Sequence, residues 1–254
     1  MVLSAPDPWQ ALDEELARWP VMPTLWLRDD DAVAPAAALS TLLQLCAAND
    51  VPVCAAVIPA AVEPGFAAWL DEHEAAIAVV AHGFAHINHA PPAEKKAEFG
   101  DHRAAEIIAA ELGMSLRRLV DAFGSASRPI FVPPWNRLGP MAGAALAGAG
   151  FRALSAKSQA AHVPVTGVTV IDMDIDIIDW RGTRGYGGDE SVVGALCTRL
   201  RTLRQQGRTN EPTGILTHHA VHDPAAWTFL ETLFNSTTAK ARWLSVDDVM
   251  AAVR

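Results

Sequence analysis

Residues 51–58 read VPVCAAVI and residues 77–81 read IAVVA, and neither run alternates apolar with polar residues. A short, nearly uninterrupted apolar run fits a strand covered on both faces, which is how strands of a parallel sheet are buried. Upstream, Thr24–Arg28 gives another strand, ending in Asp29-Asp30-Asp31. Leu39, Leu42, Leu43 and Cys46 fall at helical spacing after it, and residues 66–73 read as a short helix before the 77–81 strand. Downstream, residues 129–132, 152–155, 168–178, 214–217 and 242–245 are strand-like. Residues 141–149, 191–206 and 225–234 have helical patterning, and residues 94–123 are helical in period, broken or bent near Gly100 and Gly113. Strands alternating with helices predict an α/β fold with mostly parallel strands joined by right-handed crossovers. The expectation is a single irregular or incomplete (β/α) barrel, one domain over residues 1–254.

The composition supports a large core, with 50% hydrophobic and 19% charged residues. A net charge of −9 with scattered basic residues gives no cationic face for a phosphate backbone, so nucleic acid is not an expected partner. Cys46, Cys54 and Cys197 lie in apolar surroundings without a C-x-x-C pair, and read as free thiols. The first twenty residues lack the charged and apolar regions of a secretory signal, and no run of 18 apolar residues could span a membrane. A cytoplasmic, membrane-independent protein is expected.

Five strands end in polar clusters: Asp29-Asp30-Asp31, His82…His86, Trp135-Asn136-Arg137, Asp179-Trp180 and His218-His219. In parallel α/β folds the carboxyl ends of strands converge on one face, so these clusters belong to one pocket. His82 and His86 are four apart, a spacing that lets both imidazoles face one ion if the chain turns helically after the strand. Alone the pair is a weak motif; directly after a buried strand, in HGFAHINH, it reads as a metal site. His89 is a third ligand or, preferably, a hydrogen-bonding or substrate-lining group. Three adjacent carboxylates in a pocket repel one another, and a cation relieves that repulsion. One aspartate then ligates the ion and another stays free as a base.

An Asp-Asp pair after the first strand, HGFAH (82–86), FVPPWN (131–136), IIDW (177–180) and ILTHH (215–219) occur in that order. Together they resemble the ordered motifs of the polysaccharide deacetylases, the NodB-homology or carbohydrate esterase family four, over residues 26–223 within a motif-bearing region of about 24–223. The resemblance implies a catalytic base and a metal-ligating aspartate in the first motif. The Arg28-x-Asp-Asp form favours Asp30 as base and Asp31 as ligand, with Asp29 and Asp30 in those roles as the alternative. It further implies His82 and His86 as metal ligands, and His218, or less readily His219, as general acid. Asp176-x-x-Asp179-Trp180 would wall the pocket and orient that histidine. The third motif normally supplies an arginine that holds the base; Val132 stands there, with Arg28 or Arg137 as substitutes. Ala32 replaces the glycine usual after the Asp-Asp pair.

A divalent ion on Asp31, His82 and His86 would polarise an acyl oxygen and lower the pKa of a water to about 7. Zn²⁺ is the first expectation, with Co²⁺, Ni²⁺ and Fe²⁺ compatible with the same donors. The expected activity is cleavage of an N-acyl, chiefly N-acetyl, amide on a small-molecule or oligosaccharide substrate. Trp135, Asn136, Trp180, His89 and Arg137 are the expected substrate contacts, and a backbone N–H near Trp135 the oxyanion donor. The alternatives are a cytoplasmic hydrolase of another small amide, imide or formamide, and an inactive sugar- or metabolite-binding barrel. The 181–188 loop, RGTRGYGG, lacks phosphate-loop spacing and reads as a mobile lid. Asp101-His102-Arg103 could reach the pocket, and His222-Asp223 either supports His218 or caps the following helix.

Overall fold

The computed structural model describes residues 7–157 and 165–253. In chain order the elements are α1 (Pro8–Leu16), β1 (Thr24–Ala32), α2 (Ala37–Ala48), β2 (Val53–Val57), α3 (Phe66–Asp71), β3 (Ile77–His82), α4 (Ala105–Phe123), β4 (Ser127–Val132), α5 (Pro140–Ala145), β5 (Ala153–Lys157), β6 (Thr169–Met173), β7 (Ile175–Asp176), α6 (Asp189–Gln205), β8 (Thr213–Thr217), α7 (Pro224–Thr237), β9 (Arg242–Trp243) and α8 (Val246–Ala252). The sheet order is β6-β5-β4-β3-β2-β1-β8-β7, with β9 beside the start of β1. Every pairing within it is parallel. The expected α/β barrel is therefore present, nearly closed, with helices around it.

Closure depends on one stretch of chain. Only Asp174 separates β6 from β7, so the run pairs with β5 through its first half and with β8 through its second. Asp174 itself joins the seam: its N–H donates to Gly214 O at 2.9 Å, and its Oδ2 accepts from Gly214 N at 2.9 Å. A Cβ on Gly214 would lie 2.6 Å from Asp172 O, so the approach requires glycine.

Successive residues of a strand face opposite sides, and here that rule sorts the barrel. Trp26, Cys54, Ala56, Val80, Ile130, Val132, Met173 and Leu216 form the inner cluster, plugged at the strands' amino ends by Val246, Val249 and Met250 around α8. Leu25, Leu27, Val53, Val57, Val79, Phe131 and Ile215 point outward into the layer shared with the helices. On β1 the even-numbered residues Trp26, Arg28 and Asp30 are thus inward, and Asp29 is outward.

Two readings of the sequence are corrected. Residues 83–104 form an irregular excursion and the helix begins only at Ala105. The helix continues unbroken through Gly113, because a glycine inside a long packed helix costs only about 1 kcal/mol relative to alanine. The second is α1, which the sequence reading passed over. Asp7 caps it ahead of Pro8, and its fully buried Glu15 binds Arg204 of α6 through two contacts of 2.6 and 3.0 Å. Among the described residues, no helix is long and apolar enough to cross a membrane.

Candidate metal centre and active site

Strand β1 leaves its ladder at its end. Its register with β2 shifts between Asp29 and Ala32, and Asp31 takes the left-handed conformation with φ 74°. The shift acts as a bulge does: it adds a residue and re-aims a side chain. Asp31 is turned toward the two histidines that follow β3. Its Oδ1 lies 3.2 Å from His82 Nε2 and 3.5 Å from His86 Nε2. The ligand atoms of Asp31, His82 and His86 all lie within 4.8 Å of one another.

His82 ends β3 on the inner face, and its Nδ1 donates to Val132 O at 3.2 Å. That bond orients the ring and leaves Nε2 for a ligand, as second-shell partners of metal-bound histidines do. His86 reaches the same point only because its backbone has φ 57° and Gly83 has φ 64°. The Trp135 ring packs on the His86 ring with centroids 4.4 Å apart. Trp135 and Asn136 also have φ 55°. Among the described residues, four of the six non-glycine residues with positive φ lie in the segments around this pocket, and strained backbone is characteristic of functional sites.

The electrostatics suit a cation. Asp31 Oδ1 is buried without a hydrogen-bond partner, since its 3.2 Å approach to His82 lacks hydrogen-bond alignment. Burial raises the Asp31 pKa, but the close approach and charge of His82, then the charges of His218 and His86, outweigh it and hold the carboxyl below its ordinary value. Burial lowers the His82 pKa, and Asp30 and Asp31 reverse this to a net rise. His86 is lowered, by burial and then by the charge of His82. One carboxylate oxygen and two imidazole nitrogens form a donor set suited to zinc and neighbouring first-row ions.

Beside this triad lies the acid of β1 that never reaches it. Asp30 is buried in the barrel, where Arg28 donates from Nε to Oδ1 at 2.8 Å and from Nη2 to Oδ2 at 3.0 Å. The guanidinium, fully buried, is anchored across the barrel by Nη1 contacts of 2.6 Å to Ser155 Oγ and 3.1 Å to Ser155 O. Burial raises the Asp30 pKa, but Arg28, His82 and His218 more than offset it, so the group stays a carboxylate. The i, i+2 spacing that puts Arg28 and Asp30 on one face makes this grip possible. Arg137, the other substitute for the missing arginine, instead donates to Lys96 O at 2.7 Å.

His218 follows β8 and places Nε2 3.9 Å from Asp30 Oδ2, while its Nδ1 is buried without a partner. Trp180 meets the His218 ring edge-on at 4.7 Å, and Asp176 accepts from Trp180 Nε1 at 3.0 Å. The remaining expected residues go elsewhere. Asp29 faces outward and is saturated by His219, whose N–H donates to Oδ1 at 2.8 Å and whose Nδ1 donates to Oδ2 at 2.5 Å. Neither residue of this buried pair is placed to act as base or acid in the pocket. Asp179 accepts from Arg181 N and Gly182 N at 3.1 and 2.9 Å, folding its own loop rather than orienting His218. That loop is tied further by the bridge between Ile178 and Tyr186 and by Asp223, which also caps α7. Asn136 Oδ1 accepts from Lys157 N at 2.9 Å. His89 stands apart from the three ligand candidates, and the charges acting on its ring are those of Arg103 and Glu111. Asp101 and Arg103 bind Met141 N and Glu111, and His222 binds the Thr217 hydroxyl.

The sequence reading missed Ser155 and Glu98. Glu98 was counted within a helical stretch, and only the tertiary fold brings its carboxylate to the Phe84 and Ala85 amides. A cleft of about 490 Å³ opens instead beside Trp26, Asp172 and Arg199, away from the acids and imidazoles. Its Arg199 is already paired with Asp174 and Glu211.

No protein-family model and no curated protein sequence matches the chain. Solved structures do match in fold. A Mycobacterium smegmatis protein provisionally named a polysaccharide deacetylase aligns with TM-score 0.67 and 14% identity over 93% of this chain and 92% of its own. A family 4 acetyl xylan esterase from Clostridium thermocellum, solved with a cobalt ion, aligns with TM-score 0.51 and 13% identity over 90% of each chain. BA3943 from Bacillus anthracis, a CE4 family pseudoenzyme, aligns with TM-score 0.56 and 14% identity over 91% of this chain and 66% of its own. In fold, this chain is a NodB-like (β/α) barrel, the architecture of the carbohydrate esterase family four deacetylases.

Proposed function

We propose that the protein is a metal-dependent hydrolase that removes an acyl group, chiefly N-acetyl, from a sugar or sugar-like substrate. The observation that carries this is the convergence of Asp31, His82 and His86 beside an Asp30 carboxylate clamped by Arg28 and facing His218. A divalent ion held by the three ligands would supply Lewis acidity toward an acyl oxygen and acidify a water. Asp30, kept ionised by Arg28, takes the proton of the attacking water. His218 delivers a proton to the leaving amine, and its 3.9 Å separation from Asp30 puts acid and base on the same reacting centre. Trp180 fixes the His218 ring, and Trp135 fixes His86. Both indoles also border the pocket and offer apolar faces of the kind that stack on sugar rings. Zn²⁺ is the ion proposed, with Co²⁺, Ni²⁺ and Fe²⁺ as competent replacements.

Val132, where an arginine is expected, favours one competing reading: a barrel that binds without turnover, like the pseudoenzyme of the same fold. Arg28 supplies the missing contact and weighs against it. Acetate release from acetylated amino sugars and small amides, with and without chelator, tests the proposal. Chelator-sensitive release that vanishes in His82→Ala is expected; metal uptake without release from any substrate supports the binding barrel.

A further inference from the structure

Glu98 has no part in the chemistry above, yet its carboxylate is buried directly against the loop that carries His86. The residue is 1% exposed. Its Oε1 accepts from Ala85 N at 2.7 Å and its Oε2 from Phe84 N at 3.1 Å. Backbone amides turned toward a common point form a concave anion site. Here the anion comes from the chain itself. A Cβ on Gly83 would lie 2.0 Å from Glu98 Oε2, so the contact also explains why glycine starts this turn. Glu98 is held from behind. Arg103 donates to Glu98 O at 2.9 Å and to Glu111 of α4 at 2.7 Å, and Gly139 N donates to Phe99 O at 2.7 Å.

We infer that Glu98 is a positioning residue of the cation site: by gathering the amides of residues 84 and 85 it sets where the His86 imidazole stands relative to Asp31 and His82. Without that carboxylate the turn has two inward N–H groups and no acceptor, and the left-handed conformation of His86 loses its support. Glu98→Gln keeps the side-chain length but replaces one acceptor oxygen with an NH₂ group that faces an N–H. The inference rests on reading Asp31, His82 and His86 as a cation site.

The test is Co²⁺ titration of the full chain and of Glu98→Gln, followed by calorimetry and visible absorption, alongside the melting temperature without metal. Loss of an outer-shell partner is expected to weaken Co²⁺ binding about 10- to 100-fold and to alter the Co²⁺ spectrum. A folded variant that binds within about two-fold of the parent with an unchanged spectrum, even with a lowered melting temperature, makes Glu98 a purely structural residue and overturns the inference. If the variant does not fold, hydrogen exchange in the parent decides. Protected Phe84 and Ala85 amides in metal-free protein support it, and exchange at open-loop rates overturns it. A parent that takes up no Co²⁺ overturns the cation site itself, and this inference with it.

Discussion

Three adjacent aspartates have three different environments, and the difference comes from strand geometry. Asp29 points outward to His219, Asp30 inward to Arg28, and Asp31 is swung round by a left-handed backbone. Asp30→Asn is expected to retain metal and lose about 10²- to 10⁴-fold in turnover, checked by metal analysis and acetate release on the same preparation. Arg28→Met removes a buried partner and strands the Asp30 charge, so a loss of about 3–5 kcal/mol in stability is expected from urea unfolding. Cation affinity should fall on acidification, because protons compete for the imidazoles. The raised pKa of His82 places that competition above the ordinary histidine value of about 6.5, so Co²⁺ binding measured between pH 8 and 5.5 should weaken early in the series. The sequence singled out Asp30, Asp31, His82, His86 and His218, and the fold brings these five side chains together, with Arg28 on Asp30. Asp179 stands apart from the group, because a polar residue after a strand can equally fold its own loop.

At the scale of elements, the apolar runs of β2 and β3 located the strands because residues buried on both faces leave little room for ambiguity. The excursion over residues 83–104 was not legible as such. Its charges fit a helical period, while its backbone is fixed by Glu98, Asn88 and Arg103, whose partners are distant in sequence or invisible without side-chain direction. The seam at Asp174 was equally hidden, since sequence shows a strand there but not its two neighbours. Gly214→Ala forces a methyl group against Asp172 O and is expected to destabilise the barrel by about 1–3 kcal/mol, measured by denaturant unfolding with the slope unchanged. His222, half-buried against Trp227, has its pKa lowered to about 4, by burial first and then by the charges of His219 and His218. The unfolded chain therefore binds that proton first, near the ordinary histidine pKa of about 6.5. Stability from this group is present above that value and lost as pH falls toward about 4. His222→Gln should flatten this acid limb of the stability curve.

For the molecule as a whole, the proposed cation site joins the end of β1 to the segment after β3, two strands separated by β2 in the sheet. An ion bound only by the folded chain adds about 2.7 kcal/mol at a concentration one hundred times its dissociation constant. Chelation is thus expected to lower the melting temperature of the parent and to leave that of His82→Ala unchanged. The clamp on the proposed base has another consequence. In Arg28 and Asp30 the guanidinium and its carboxylate ride on a single strand, two residues apart. Slippage or breathing between neighbouring staves of the barrel would pull apart a partnership formed across them. This one travels with its own stave, so the acid keeps its companion while the wall around it shifts.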